Sequence, residues 1–470
     1  MRRKTKIICT LGPATQSPKA IADLLRAGAN VMRLNMSHAT PEWTKKICKD
    51  IRAASKEVGR DVAILMDLRG PSIRTGDIDA PIPLKVGDKI EFRLEDNLKP
   101  SCKASVHVAY RGLAEDVQVG SDLLLDNGLI QVCITAISPE VVTGKVITDG
   151  VLTSRRHINL PGVSVGIPAL TRKDLKDIDL AVEIGDIDFV ALSFAREAEH
   201  VKQLTAMLEE RGSTARVIAK IENHQAIENL DAIIQASGGV MVARGDLGIE
   251  CALEELPIIQ RRIIERCSFY GRKCIVATQM LESMIENPSP TRAEVTDIFN
   301  AVLEQVDAVM LSGETTVGKY PSGCVQIIDR VARRVEREFP SGRITPDNPL
   351  LTDKDKSAKA ASDLANSISG SKILVFTARG VLGHLVAHQR PEHSPIFAFS
   401  PNLYVCRRLI MARSVYPYQL PFGEDAEKMI EAGLNLLKKE GHLKDGDPVI
   451  LLSDVFQGEF EVDSIIWRKA

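Results

Sequence analysis

The sequence predicts a (β/α)8 TIM barrel of the α/β class, interrupted by an inserted all-β lid domain and followed by a C-terminal α/β domain. Three observations predict it. Eight short apolar runs alternate with eight amphipathic helical stretches before Pro340. Most of those runs are continuous rather than alternating, as strands buried on both faces are. After the third run the helical period disappears and returns only near Arg172. Eight βα units in series specify a closed barrel rather than an open sheet. The expected division is 1–68 and 166–342 for the barrel, 69–165 for the lid and 343–470 for the C-terminal domain.

Taken in order, the strands are expected at Lys6 to Leu11, Asn30 to Asn35, Val62 to Asp67, Phe189 to Phe194, Arg216 to Ile221, Gly239 to Ala243, Cys274 to Thr278 and Ala308 to Ser312. The helices are expected at Pro18 to Ala27, Pro41 to Val58, Arg172 to Ile184, Ala198 to Arg211, Gln225 to Ala236, Leu256 to Tyr270, Arg292 to Gln305 and Gly323 to Glu338. From Arg69 to Val165, alternating runs such as KIEFRLE, ASVHVAY and GLIQVCITAI are punctuated by VGD, DNG and PGV turns, the mark of short antiparallel strands. A domain inserted there leaves from the top of the barrel, where it can close over the mouth and exclude water. After Pro340 a linker, SGRITPDNPLLTDKDK, leads to a helix at Ser357 to Ile368 and strands at Ile373 to Phe376, Pro395 to Phe399, Val449 to Leu452 and Val462 to Trp467.

Composition narrows the function. With 470 residues, 44% hydrophobic and 26% charged, the chain can bury a large core, and its formal net charge of -2 argues against a general binder of nucleic acid or membrane. Any anionic ligand must be held by local charges. The basic start MRRKTK is followed only by IICTLG, which is neither a signal peptide nor a membrane span. Nine cysteines are scattered without CxxC pairs, as expected of reduced thiols in a cytoplasmic protein. The histidines show no HxH or HExxH spacing, so a zinc hydrolase is not indicated.

The residues that carry chemistry collect at the carboxyl ends of the expected strands, where parallel α/β folds bind ligands. Arg33, Asn35, Ser37 and His38 follow strand two, and Asp67, Arg69 and Arg74 follow strand three. Lys220 and Glu222 end strand five, Arg244, Gly245 and Asp246 follow six, Thr278 and Gln279 follow seven, and Ser312, Gly313 and Glu314 follow eight. Glu222 and Asp246 are hard oxygen ligands on adjacent strands, a pair that suits Mg²⁺ completed by water and substrate oxygens. Lys220 ends an apolar run and needs a counter-charge, which those carboxylates or a substrate phosphoryl group would supply. Gly245 to Gly248 mark a turn into a short helix whose N–H groups could hold a carboxylate. Arg33 and Arg74 either grip phosphate oxygens or form ordinary salt bridges. Asn35, Ser37 and Asp67 either cage a monovalent cation or act as local caps. Thr278 either relays a proton or finishes its strand. The loop TARGVLGH, Thr377 to His384, lacks the GxGxxG order and is at best an anion loop.

At these residues the sequence resembles the pyruvate kinases. The matching segments are IICTLGPA, NVMRLNMSHAT, RGPSIRTG, HINLPG, DFVALSFAR, VIAKIEN, MVARGDLGIE, ATQMLESMIENPSPTRAEVTDIFNAV and DAVMLSGETTVGKYP. The resemblance implies the glycolytic transfer of the phosphoryl group of phosphoenolpyruvate to ADP, giving pyruvate and ATP, with Mg²⁺ or Mn²⁺ as cofactor and a homotetrameric assembly. It places Lys220, Arg33 and Thr278 in catalysis, with Gly245 and Asp246 also on phosphoenolpyruvate, and Glu222 and Asp246 on the divalent metal. It places Asn35, Met36, Ser37, His38, Arg74 and Arg156 around the nucleotide, and Asn35, Ser37, Asp67 and Leu68 around K⁺.

Departures from the family pattern qualify that transfer. Leu68, Arg69 and Ser72 stand where TKGPEIRTG has Thr, Lys and Glu. Glu at the Ser72 position accompanies K⁺ dependence and Lys accompanies independence, so K⁺ does not carry over directly and Leu68 favours independence. Asn127 replaces a second Asp in the lid, and Arg156 replaces a nucleotide-contacting Lys. The TARGVLGH loop has few hydroxyls for a phosphorylated effector, although Arg379 could bind an anion. The rival readings are an aldolase or carboxylase barrel using a metal-bound enolate, and a catalytically silent scaffold. The first needs neither the lid nor the nucleotide-side basic set, and the second would be expected to lack Lys220, Glu222 or Asp246, all of which are present.

Overall fold

In the computed structural model, which describes residues 2–163, 165–342, 349–423, 425–457 and 460–470, eight parallel strands close on themselves. They are Lys6–Thr10, Val31–Asn35, Ala63–Asp67, Phe189–Leu192, Arg216–Ile221, Gly239–Ala243, Lys273–Ala277 and Ala308–Leu311, the eighth pairing with the first. All eight expected strands are found, their ends moved by a residue or two. Side chains alternate along each strand. Ile8, Val31, Leu65, Phe189, Ile218 and Met241 belong to one buried cluster inside the barrel, shared with Ile410 and Met411 of the C-terminal part. Their neighbours Ile7, Met32, Ile64, Val217 and Val240 pack outward with the helices.

Local chemistry sets the helix starts. Ser17 and Thr40 cap Pro18–Ala27 and Pro41–Val58, each with Pro in the first turn, and Thr171 with Asp174 makes a capping box on Arg172–Ile184. Two expectations change. The helix expected at Gln225 to Ala236 is two helices, His224–Glu228 and Leu230–Ala236, because Asn229 leaves helical geometry between them. Gly245 to Gly248 form no separate turn; they lie within the helix Arg244–Glu250, which begins directly at the end of strand six.

The inserted segment is a seven-stranded sheet with a core of its own, including Ile90, Phe92, Leu123, Val132 and Val142, beside a two-stranded ribbon of Ile82–Leu84 and Gly150–Leu152. Its contacts with the barrel top include the following two. Asn159 Nδ2 donates to Glu250 Oε1 at 3.1 Å, and Gly128, in the turn that follows Asp122–Leu125, faces Ile249.

The C-terminal part is a five-stranded sheet in the order Val415–Gln419, Ile396–Ser400, Lys372–Phe376, Pro448–Gln457, Phe460–Lys469, with only the last strand antiparallel. Val415–Gln419 was not expected: Pro417 argues against a strand, and is tolerated because this one lies at an edge. The helix expected at Ser357 starts earlier, at Asp353, where Thr352 and Asp355 form a capping box, so the end of the expected linker is helical. Linker residues 343–348 lie outside the described residues.

Buried charge joins the barrel to this sheet. Asp307, just before strand eight, is fully buried; its carboxylate accepts from Arg390 Nη1 and Nη2 at 3.1 and 2.9 Å, and from the Cys274 and Arg413 amides at 3.1 and 3.0 Å. Glu336 accepts from the Lys4 and Thr5 amides at 2.7 and 2.8 Å and faces Arg413.

Candidate active site

The alternation that fills the barrel also aims the site. Ile218 points inward, so Lys220 on the same strand and Glu222 just beyond its end face the mouth, while Ile221 between them is buried with the helices. By the same rule Leu65 carries Asp67, and Val31 carries Arg33 and Asn35. Asp67 pairs with Asn35 on one side and Ala191 on the other, which brings strands two, three and four together at their carboxyl ends.

Lys220 is the hub. Its ammonium donates to Glu222 Oε1 at 2.8 Å and Ser193 Oγ at 2.8 Å and lies 3.4 Å from Asp67 Oδ1. Arg33 donates through Nε to Asp67 Oδ2 at 2.6 Å and through Nη1 to Thr10 Oγ1 at 3.0 Å. The Phe194 amide donates to Glu222 Oε2 at 2.6 Å, so that carboxylate is held at both oxygens. Asp246, at the start of its helix, acts electrostatically on both Lys220 and Glu222.

These placements tune the groups. Burial alone would lower the Lys220 pKa, but Asp67, Glu222 and Asp246 outweigh it and hold the ammonium above the ordinary lysine range. Burial likewise opposes ionisation of Asp67, yet Lys220 and Arg33 prevail and its pKa falls below the ordinary value. For Glu222 burial wins: Lys220 favours the anion, Asp246 disfavours it, and the pKa is raised.

Thr278 occupies a strained position. It and Gln279 have φ of 68° and 53°, a left-handed region that costs a β-branched residue on the order of 1–3 kcal/mol. Arg244 holds this bend: it donates to the carbonyls of Ala277 and Thr278 at 3.2 and 2.5 Å and pairs with Asp297 at 2.7 Å. The Thr278 hydroxyl accepts from the Gly245 amide at 2.9 Å and donates to Ala277 O at 2.7 Å. Arg244 is therefore a backbone clamp, and the Gly245 amide, expected to be open for a substrate, is occupied by Thr278. Glu314 is also a scaffold, accepting from the amides of Leu281 and Ser312 at 3.0 and 2.6 Å.

The expected nucleotide side is more open. Ser37 and His38 are exposed, and the Ser37 amide donates to Asn35 Oδ1 at 3.2 Å. The Met36 side chain is fully buried in the core, and its amide donates to Asp67 O at 2.9 Å. Arg74 donates to Ser72 Oγ at 3.3 Å and Arg155 O at 3.1 Å, and Arg156 pairs with Asp126 of the lid at 3.2 Å. A cavity of about 470 Å³ lies under the lid between Ile73, Asn159, Phe194, Arg196 and Asn223. It flanks the charged cluster without being lined by Lys220, Glu222 or Asp246, and the cluster itself remains the candidate site.

Ser193 is the site residue missed from the sequence. It follows strand four and is almost wholly buried. Its position at a strand's carboxyl end was the available signal.

Comparison with known proteins agrees with the geometry. The family model described as pyruvate kinase, barrel domain, matches residues 2–325, and that described as pyruvate kinase, alpha/beta domain, matches residues 355–465. A pyruvate kinase of Geobacillus stearothermophilus is 40% identical over 469 residues, 98% of this chain and 79% of that protein. Plastidial pyruvate kinase 2 of Arabidopsis thaliana is 40% identical over 476 residues, 100% of this chain and 80% of its own. A crystal structure of a pyruvate kinase from Cryptosporidium parvum superposes with a TM-score of 0.91 at 33% identity, covering 99% of this chain and 96% of that one. With both domain models matched and relatives 40% identical along nearly its whole length, the chain belongs to the pyruvate kinase family.

Proposed function

We propose that the cluster around Lys220 performs the family's phosphotransferase reaction, moving the phosphoryl group of phosphoenolpyruvate to ADP to give pyruvate and ATP. The observation that carries this reading is a buried ammonium held between Glu222 and Asp67, with Arg33 beside it and Asp246 acting on it. Phosphoryl transfer asks the protein mainly for positioning and charge neutralisation. Lys220, ionised at any working pH, takes the charge of the transferring group. Arg33 offers the remaining edge of its guanidinium to phosphate oxygens. Thr278, Gly245 and Asp246 hold the rest of phosphoenolpyruvate, for which the Gly245 amide must leave the Thr278 hydroxyl. Asn35, the Met36 backbone, Ser37, His38, Arg74 and Arg156 receive ADP. The division proposed is 1–68 with 166–342 as barrel, 69–165 as lid and 343–470 as C-terminal domain.

The donor set fits a divalent cation. Asp246 disfavours the ionisation of Glu222, a penalty that a dication between them would remove. Among the described residues no group of three or more His, Cys, Asp or Glu suits a metal. Water and substrate oxygens would complete the coordination, as Mg²⁺ or Mn²⁺ accepts. When bound, the metal supplies further charge neutralisation on the phosphoryl oxygens. Asp246→Asn is expected to raise the Mg²⁺ concentration needed for half-maximal rate by about tenfold or more; an unchanged metal titration would remove Asp246 from the site.

The K⁺ ligands expected from the family fit less well. Asp67 already faces Arg33 and Lys220, Leu68 O accepts from Ser193, and Asn35 Oδ1 accepts from the Ser37 amide. Two fixed cations beside Asp67 disfavour a third. The enzyme is proposed to be K⁺-independent: replacing K⁺ by a tetraalkylammonium salt should change kcat by no more than about twofold, and a large K⁺ activation would overturn this.

A coupled assay with phosphoenolpyruvate, ADP and Mg²⁺ tests the reaction itself; no pyruvate from the purified protein would refute it. Family membership supports a homotetramer, which light scattering checks. All nine cysteines are free, which supports a cytoplasmic location. Among the described residues no helix is long and apolar enough to cross a membrane.

A further inference from the structure

Lys220 has three oxygen partners, two carboxylates and one hydroxyl, and only the hydroxyl is neutral. Glu222 and Asp67 cancel charge as they orient the ammonium, whereas Ser193 orients it without cancelling any. The polarity of this contact is fixed by chemistry. An ammonium can only donate and a carbonyl can only accept. The Ser193 hydroxyl therefore takes a hydrogen from Lys220 Nζ at 2.8 Å and gives its own to Leu68 O at 2.8 Å.

Leu68 is where the chain leaves the third strand for the lid. Its amide donates at 3.0 Å to the carbonyl of Ala191, on strand four two residues before Ser193. Two residues on, Gly70 has φ of 69°, and a Cβ there would lie 2.7 Å from Ser193 Cβ, so the outgoing segment packs directly on this serine. The Gly70 amide donates to Asp174 Oδ1 at 3.1 Å. Asp174 is buried in the first turn of Arg172–Ile184, the helix on which the chain returns from the lid. The outgoing and returning arms are thus tied together, and Ser193 ties that junction to the ammonium.

We propose that Ser193 is a positioning residue that couples the lid hinge at Leu68–Gly70 to the orientation of the Lys220 ammonium. A hinge that moves carries the Leu68 carbonyl with it. The hydroxyl must then follow or lose one partner, and Lys220 turns away from its aimed position. The inference rests on the proposed role of Lys220 in phosphoryl transfer.

Two measurements test it. In the full-length enzyme, Ser193→Ala should lower the single-turnover rate of phosphoryl transfer by about 10- to 100-fold, the scale of a small misplacement of a catalytic group. The KM for ADP should stay unchanged. Ser193→Thr, which keeps the hydroxyl, should recover most of the loss, and Ser193→Cys, of similar size but a weak donor, should not. A purely structural defect would follow residue size instead. Coupling is also reciprocal: amide hydrogen exchange in a peptide spanning Leu68 to Pro71 should quicken in both Ser193→Ala and Lys220→Met. Wild-type rates in Ser193→Ala, equal rates in the Thr and Cys variants, or hinge exchange unchanged in both variants would overturn the proposal. Full activity in Lys220→Met would instead refute the role of Lys220, while the exchange measurement would still decide whether the hinge and the ammonium are coupled.

Discussion

Lys220→Met is expected to lower kcat for pyruvate formation by about 10²–10³-fold, the usual effect of removing one preorganised stabiliser of transition-state charge. Methionine has a similar length and keeps the packing of the stem, so the change isolates the ammonium. The loss is specific because the charge cannot be replaced locally. Arg33, the other cation of the cluster, is held by Asp67 and Thr10 with only its remaining edge turned to the phosphate, so it cannot take the ammonium's place. Removing the ammonium also leaves Glu222, among the described residues, with the Phe194 amide alone as donor, in a site where burial already disfavours its anion. Steady-state assays at saturating phosphoenolpyruvate and ADP check this, and circular dichroism establishes that the variant is folded. Activity within a few-fold of wild type would remove Lys220 from the mechanism.

The second large effect lies at the other end of the barrel. Asp307→Ala should destabilise the protein by about 3–5 kcal/mol, because it leaves the Arg390 guanidinium buried without its carboxylate and strands two amide donors. Burial opposes ionisation of Asp307, but Arg390 dominates and its pKa in the folded chain lies well below the ordinary value of 3.8. A depressed carboxyl pKa means that the unfolded chain binds the proton more readily than the folded one. The contribution is therefore complete above that ordinary value and is lost as the pH falls toward the folded pKa. Urea unfolding at neutral pH should show the full difference between wild type and variant, and the difference should shrink below about pH 4. A constant difference across that range would show that Asp307 acts by packing rather than as an ion.

The barrel was legible because buried parallel strands are continuous apolar runs, each broken by polar residues where it reaches the mouth. Lys220, Glu222 and Asp246 stood out for the same reason: charges at the ends of apolar runs need partners. What stayed hidden depends on contacts distant in sequence. Ser193 looks like any serine near the end of a strand until strands four and five set its hydroxyl 2.8 Å from Lys220. Asp307 and Arg390 are 83 residues apart and meet only when the C-terminal sheet docks. Arg244 and Glu314 lie where site residues were expected, yet their charges support backbone, a use that residue type and spacing do not distinguish from ligand binding. Met36 matches the family motif by position while its side chain serves the core. The edge strand Val415–Gln419 was masked by Pro417, and the break at Asn229 has neither glycine nor proline to announce it.

In the proposed mechanism, one divalent cation and the transferring phosphoryl group meet at the ends of strands five and six. The most direct measurement is an anomalous difference map from crystals grown with Mn²⁺ and phosphoenolpyruvate. A single strong peak between the Glu222 and Asp246 carboxylates, with the phosphoryl group within hydrogen-bonding distance of Lys220 Nζ, is the predicted result. Mn²⁺ bound elsewhere, or phosphoenolpyruvate seated away from Lys220, would contradict it.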